Sequence, residues 1–345
     1  MGAFEIRDAC DDEWDAFVAA HPEGHHEQLS RYARSRAAWG FRCDRIVLHE
    51  GSRIVGGLQA LVRRSPVGRL AVVLRAPLAI DNNPDVLARV AEELDRLARR
   101  RSYAWVRVET FPNHAATAAL ERLGFRSSGE WFGRFGKRDS LLVPLSQGDN
   151  ELLARMKPKG RYNVRVAQRS GVTVHAGDGS SLTEFFELYR MTSSYQGFPA
   201  FPREYFEYVL RVLGPSKRAQ VFLAYHDGKP VAGIFNTIVG ARSYYGWGGM
   251  SRDPEHRKLM ANYLIHFTAM AWAREHGCTH YDLVGVSAFK EKLGGDQITW
   301  PLPQHKFYGL FRTLRRRITG LAWSEPRLRR VVQMVARRLY PPMPY

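Results

Sequence analysis

Lys157, Arg161, Arg165 and Arg169 stand at four-residue intervals in MKPKGRYNVRVAQRSGV, with no acid among them. Wound as a helix, they form one cationic stripe that calls for phosphate or carboxylate. Like charges at this spacing destabilise a helix by roughly 0.2 to 0.5 kcal/mol per pair, so three steps cost about 1 kcal/mol unless an anion offsets them. Lys159 adds a cation in the first turn. Pro158 suits the first helical position and Gly171 the stop, so the segment predicts a helix that holds these charges in register. The alternative is a solvated face neutralised by acids elsewhere in the fold.

The same bias runs through the composition, where 51 Lys and Arg against 34 Asp and Glu leave a surplus of 17 positive charges. Anionic partners are expected. Nine Arg and one acid, Glu325, lie between Arg312 and Arg338. There two amphipathic patterns, one from Leu310 to Leu321 and one from Leu328 to Leu339, predict a basic helical tail over 309–345. Such a tail suits an anionic bilayer, RNA phosphates or docking on the body of the protein. Cys10, Cys43 and Cys278 are isolated, which argues against zinc and against a disulfide framework. The histidines, His25 and His26 included, lack ligand partners at metal-binding spacing, so no metal is expected. The acidic start MGAFEIRDACDDEWDAF lacks the layout of a secretion signal, and no stretch reaches the ~20 apolar residues of a membrane span. A cytoplasmic protein in a reducing compartment is expected, monomeric and in peripheral contact with the inner face of the membrane.

Elements that would position such charges recur in the same order twice. A hairpin (Arg45 to Leu48, then Ile54 to Leu61) and a strand Leu70 to Leu74 precede a helix from Asp85 to Arg101, whose Val86, Val90, Leu94 and Leu97 keep helical spacing, and a strand Tyr103 to Glu109. The second half has Gln220 to His226, Val231 to Val239, Arg242 to Trp247, a helix Ala261 to His276 and a strand Thr279 to Val284. This layout predicts an α/β (α+β) fold of two copies, 1–147 and 148–308, divided at the polar break Ser146 to Asp149. Trp131, Phe132 and Trp247 read as core or cleft wall.

NHAATAALERLGF (Asn113 to Phe125) resembles the helix and Gly-Phe signature of the GCN5-related (GNAT) acyltransferases, which implies two tandem GNAT-like domains. The loop that would cradle a coenzyme A pyrophosphate has its best counterpart in Arg257 to Asn262, where Met260 replaces a glycine needed for backbone approach to phosphate. A different acyl donor follows. Several segments resemble the FemAB/FemX (FemXAB) family of peptidoglycan-bridge aminoacyltransferases. They are KPKGRYNVRVAQRSGV, YYGWGGMS with the helix after it, THYDLVGV as the Tyr-Asp strand end, FKEKLGG as FKxGFGG, and GHHEQLSRYARSRAAWGF as Gln-Ser-x-x-Trp-x-x-x-Lys.

That resemblance implies transfer of an amino acid from aminoacyl-tRNA, as co-substrate with no cofactor, to an amine of a muropeptide precursor, either UDP-MurNAc-pentapeptide or lipid II. It places Lys290 at the family's functional lysine, able to steady an oxyanion or the departing ribose oxygen. Asp282, at the strand end, either orients the substrate amine or caps the next turn. For the acceptor, it implies that Arg36 faces a diphosphate or carboxylate, that Glu109 is an acidic strand-end residue, and that Tyr244 or Tyr245 lines the cleft. It also sets Tyr195 where the family has Arg, leaving a phosphate contact missing or supplied by Arg203. The stripe of Lys157, Lys159, Arg161, Arg165 and Arg169 becomes the tRNA phosphate contact. Two rivals stand beside this reading: aminoacylation of a small peptide, antibiotic or lipid, and a non-catalytic RNA- or membrane-binding module.

Overall fold

The computed structural model describes residues 4–65, 68–112, 114–127, 139–145 and 148–309. The strands run β1 (Glu5–Ile6), β2 (Phe41–Glu50), β3 (Arg53–Ser65), β4 (Gly68–Leu74), β5 (Leu78–Ala79), β6 (Tyr103–Glu109) and β7 (Arg126–Ser127). They continue with β8 (Asp139–Pro144), β9 (Thr173–Gly177), β10 (Ala219–His226), β11 (Lys229–Val239), β12 (Arg242–Met250), β13 (His280–Asp282), β14 (Asp296–Thr299) and β15 (Gln304–Phe307). Helices are α1 (Asp11–Ala20), α2 (Ser30–Arg34), α3 (Pro84–Arg100), α4 (His114–Arg122), α5 (Asp149–Arg155), α6 (Pro158–Arg169), α7 (Leu182–Gln196), α8 (Arg203–Leu213), α9 (Pro254–Lys258) and α10 (Ala261–Glu275).

Two compact units divide these elements, the described residues up to 127 with 300–309 forming one and 139–299 the other. Each has its own sheet, ordered β1-β2-β3-β4-β6-β15-β7 with β5 on β3, and β14-β8-β13-β12-β11-β10-β9. The repeat anticipated from spacing is present: β2-β3-β4 then α3 then β6, and β10-β11-β12 then α10 then β13. Its edges lie elsewhere than 147/148 and 308/309. β8 pairs with β13 and β14, so it belongs to the second sheet, while β15 pairs with β6 and β7 and returns to the first. The polar break near 146–149 does not divide the units, since β8 before it and α5 after it both belong to the second: strands are allotted by partners far away in sequence. Trp131, Phe132, Ser146, Gln147 and the tail from Leu310 onward lie outside the described residues.

In the first unit α3 buries Val86, Val90, Leu94 and Leu97 against the sheet. Each such side chain removed from water contributes about 1.5 to 3 kcal/mol. Asn83 caps this helix through Asp85 and Val86 N–H, with Pro84 at its first position. In the second unit α6 and α10 cover one sheet face over Ala232, Ile234, Phe222 and Ala224. Gly233, pointing the other way, meets Phe185 and Leu188 of α7. That second face holds an aromatic cluster of Phe185, Tyr189, Phe206, Phe235 and Trp247, so Trp247 is core. No helix of the described residues is long and apolar enough to cross a membrane.

One difference between the copies positions the site. β4 and β6 stay paired in parallel from Arg69↔Tyr103 to Leu74↔Glu109. β12 and β13 pair only at Arg242↔His280, Ser243↔Tyr281 and Tyr244↔Asp282, after which β13 ends and β12 runs on to Met250. The second sheet is therefore split at the C-terminal ends of its parallel strands.

Candidate active site in the second unit

At that split the chain makes a turn held from three sides. Val284 adopts φ 48° and Gly285 φ 114°, left-handed values that a β-branched valine takes only when its surroundings impose them. Asp282, 2% exposed, imposes them: its Oδ1 accepts the Val284 N–H at 2.8 Å and the Ser140 hydroxyl. Ser140 Oγ in turn accepts the Gly285 N–H at 3.0 Å. So turned, the carbonyls of Leu283 and Val284 converge on the Nζ of Lys290, which donates to both, the second at 3.1 Å. Lys290 is 8% exposed, and its ammonium lies 5.0 Å from the centre of the Tyr245 ring. A cation fixed by two carbonyls and an aromatic face is charged and immobile, as oxyanion stabilisation requires.

Tyr245 owes its place to glycine. A Cβ on Gly248 would stand 2.2 Å from the Tyr245 hydroxyl, so only a bare Cα lets the ring lie along the strand. A bulge opposite Phe235 and Asn236 sets the strand's facing here. Tyr244, one residue earlier, is buried at 1% and faces the other way. Of that pair, Tyr245 is the one at the lysine. Behind it His266 meets the Tyr245 ring edge-on at 4.5 Å, and its Nδ1 lies 3.2 Å from the Tyr281 hydroxyl, which also takes a 3.0 Å bond from Asn236. Burial, with the Lys290 charge added, drops the His266 pKa to about 3. Burial also pushes Tyr245 up to about 12. Both are neutral near pH 7, so Lys290 is the charged member of the group.

The cationic segment is helical as anticipated, with Pro158 at its first position and Gly171 turning it off at φ 75°. Its first turn abuts the lysine-bearing turn. Lys157 N–H donates to the Lys292 carbonyl at 3.2 Å, and Lys157 Nζ lies 3.8 Å from Glu291. The stripe does not stay one ladder. Arg161 turns back and donates to the carbonyls of Ala154 and Met156, capping α5. Lys159 lies over the ring of Tyr162, and Arg165 and Arg169 are exposed on the outer face. At the loop before α10, Met260 sits at φ 54° as the N-cap, with no side-chain cap bond. Its side chain packs against the core of the second unit, so a bulky residue stands at the position where the coenzyme A loop would have glycine. The Asn262 side chain is spent on the Met250 sulfur at 3.3 Å.

Residues 155–296 match the acetyltransferase (GNAT) domain model. Over 349 aligned residues the chain is 25% identical to the Lipid II:glycine glycyltransferase of Staphylococcus saprophyticus, covering 81% of this chain and 84% of that one. The solved structure of FemX superposes with a TM-score of 0.81 at 21% identity, covering 91% of this chain and 99% of that chain. The chain is thus similar to FemX in fold and to this glycyltransferase over most of its length. A tandem GNAT protein of the clavulanic acid pathway, TM-score 0.52 at 16% identity over 89% of this chain and 98% of its own, shares the two-copy fold. Here the two FemXAB-like segments THYDLVGV and FKEKLGG meet: the first supplies the carbonyls that hold the lysine of the second.

The FemXAB resemblance placed two further residues, Arg36 and Glu109, toward the acceptor. The structure places both inside the first unit. Arg36 is 1% exposed, and its guanidinium pairs with Glu27, 7% exposed, at 2.7 Å. The anion that Arg36 answers is therefore an internal carboxylate rather than one on an open surface. Burial raises the Glu27 pKa, and Arg36 opposes that rise. Glu109 is buried and takes a bond from Arg107, two residues back on the same strand face. Gln28 is fully buried, bonding the Leu74 carbonyl at 2.7 Å and the Gln59 N–H at 2.7 Å, which ties the 26–28 turn to the sheet.

Tyr195 is 73% exposed at the end of α7. Arg203, the residue expected to replace the missing arginine, has its Nε engaged by Glu207 at 2.7 Å. Instead Arg252, which drew no attention in the sequence, lays its guanidinium 4.0 Å from the centre of the Tyr195 ring, with Nε and Nη2 lacking hydrogen-bond partners. Sequence reasoning also passed over Ser140 and His266. Ser140 carries no local signal, being 142 residues from the carboxylate it serves.

Proposed function

We propose that the protein transfers an aminoacyl group from a charged tRNA to an amine of a muropeptide stem, forming one peptide bond. It is an aminoacyltransferase of the FemX type. The observation that carries the reading is Lys290, a cation pinned beside the split of a GNAT-type sheet. The amine nitrogen attacks the ester carbonyl carbon, the C–N bond forms and negative charge collects on the carbonyl oxygen. The C–O bond to ribose then breaks; the nitrogen loses a proton and the ribose oxygen gains one. An ester is already activated, so positioning and charge stabilisation are the work required. Lys290 supplies the charge, and Tyr245 walls the place where the carbonyl sits. Lys159, Arg165 and Arg169 receive the tRNA phosphates, with α6 leading them to the lysine turn.

The name of the staphylococcal relatives supports lipid II as the acceptor, and the cationic balance of the chain fits both substrates. Met260 and the tied Asn262 favour a donor other than coenzyme A. A small peptide, antibiotic or lipid acceptor is the second reading, favoured by Tyr195 standing where the family has arginine. One assay decides among these. Purified protein receives a mixture of charged tRNAs with nucleotide-linked muropeptide, lipid-linked muropeptide or small peptides, and products are read by mass. The expected result is one acceptor gaining one amino-acid residue, abolished by RNase. Product formed from an acyl-coenzyme A, or RNase-resistant product, overturns the proposal.

A further inference from the structure

From Met191 to Pro202 the chain carries no charge, although a quarter of all its residues are charged. Residues 194–200, the last turn of α7 and the loop after it, are exposed throughout. Met191 and Tyr195, one helical turn apart on one face, are 48% and 73% exposed, and Phe198 is 37% exposed. These are three of only seven large hydrophobic residues exposed among the described residues. Gly197, at φ 71°, ends the helix and turns the chain between Tyr195 and Phe198. Cations frame this apolar tip. Arg190 precedes it on α7 and is exposed, Arg203 follows it, and Arg252 lies beneath Tyr195, its Nε and Nη2 buried and its charge held against the ring.

We propose that this tip docks on an anionic phospholipid surface, with Tyr195 and Phe198 entering the headgroup boundary and Arg190 and Arg203 meeting lipid phosphates. Scattered single hydrophobics on a surface need no explanation, but an uncharged aromatic tip ringed by arginine has the make-up of an interfacial anchor. Tyrosine suits such a boundary because its ring is apolar and its hydroxyl is wet. Guanidinium edges match phosphate oxygens in pairs, and Arg190 is exposed to offer such an edge. The charge surplus of the chain adds long-range attraction to such a surface. The inference goes beyond the transfer reaction, and it gives a chain without a spanning helix among its described residues a way to sit at lipid.

The test uses the full chain and vesicles alone, without tRNA or muropeptide, so its outcome is independent of the proposed activity. Co-sedimentation is measured with phosphatidylglycerol-phosphatidylcholine vesicles and with phosphatidylcholine vesicles. The double variant Tyr195→Ser/Phe198→Ser is expected to lower partition onto anionic vesicles about tenfold, with thermal unfolding of each variant recorded as the control for the fold. Arg190→Gln, at an exposed position, is expected to lower binding to anionic vesicles and to leave binding to neutral ones as it was. Ile6→Ser, an equally exposed apolar position in the first unit at 47%, serves as the control. Unchanged partition of the double variant, or an equal loss from Ile6→Ser, overturns the proposal and moves any lipid contact to another surface.

Discussion

Gly160 of α6 and Lys292 of the lysine-bearing turn approach so closely that no side chain fits between them: a Cβ at 160 would stand 2.2 Å from the Lys292 carbonyl oxygen. That carbonyl also accepts the Lys157 N–H. Helix and turn are therefore packed directly on each other. Gly160→Ala must push the turn away, with an overpacking cost of about 1 to 3 kcal/mol. The expected outcome is a lower unfolding midpoint together with a fall in turnover, since Lys290 lies in the displaced turn. Unaltered turnover at lowered stability would detach the helix from the site.

Lys290→Ala removes the pinned charge. The expected loss in turnover is about 100- to 1000-fold, the range seen when one oxyanion-stabilising group is removed. Binding of charged tRNA, read by filter retention, should persist because Lys159, Arg165 and Arg169 are untouched. Equal losses in tRNA binding and in turnover would recast Lys290 as a phosphate contact.

Asp282 separates two roles by chemistry. Its Oδ1 holds the Val284 N–H and the Ser140 hydroxyl, a task an amide oxygen performs as well. Asp282→Asn should therefore keep turnover within about threefold, whereas Asp282→Ala leaves buried donors unanswered at about 1 to 3 kcal/mol and should lose both stability and turnover. A collapse of turnover in the Asn variant at full stability would show that the carboxylate charge itself meets the substrate.

Periodicity exposed the repeated elements of both units, because buried positions at helical or alternating spacing leave a local mark: Val86, Val90, Leu94 and Leu97 are all buried. It could not allot β8 and β15, whose partners are far away in sequence. The site was legible in part for the same reason. Lys290, Asp282 and Tyr245 sit in motif segments and do come together. Arg36 looked like a ligand-seeking arginine, since nothing in the order of residues shows that Glu27 folds against it. Arg252 stood in the turn after a glycine strand, and its stacking on Tyr195 depends on how α7 crosses β12. Spacing reports faces; it does not report which faces meet.

Arg36 and Glu27 form a buried pair, so removing one partner leaves the other charge stranded. Arg36→Met should cost about 3 to 5 kcal/mol, and adding Glu27→Gln should recover a large share of that. Urea unfolding of the four proteins in a double-mutant cycle measures the coupling. If Arg36→Met instead left stability intact and weakened acceptor binding, Arg36 would have to leave its carboxylate during function.

Acid should loosen the second unit through His266. Its folded pKa, about 3, lies below the unfolded value near 6.5. A depressed pKa means that the unfolded chain binds the proton first, so the stability tied to neutral His266 is complete above about pH 6.5 and drains away as pH falls toward 3. By pH 5 the loss is about 2 kcal/mol, taking 1.36 kcal/mol per pH unit below 6.5. His266→Gln keeps a side chain able to bond the Tyr281 hydroxyl and has nothing to titrate. Urea midpoints of the wild type should fall between pH 7 and 5 more steeply than those of the variant. Parallel curves would mean that the imidazole stays neutral in both states over this range, and that the acid sensitivity of the unit belongs to other groups.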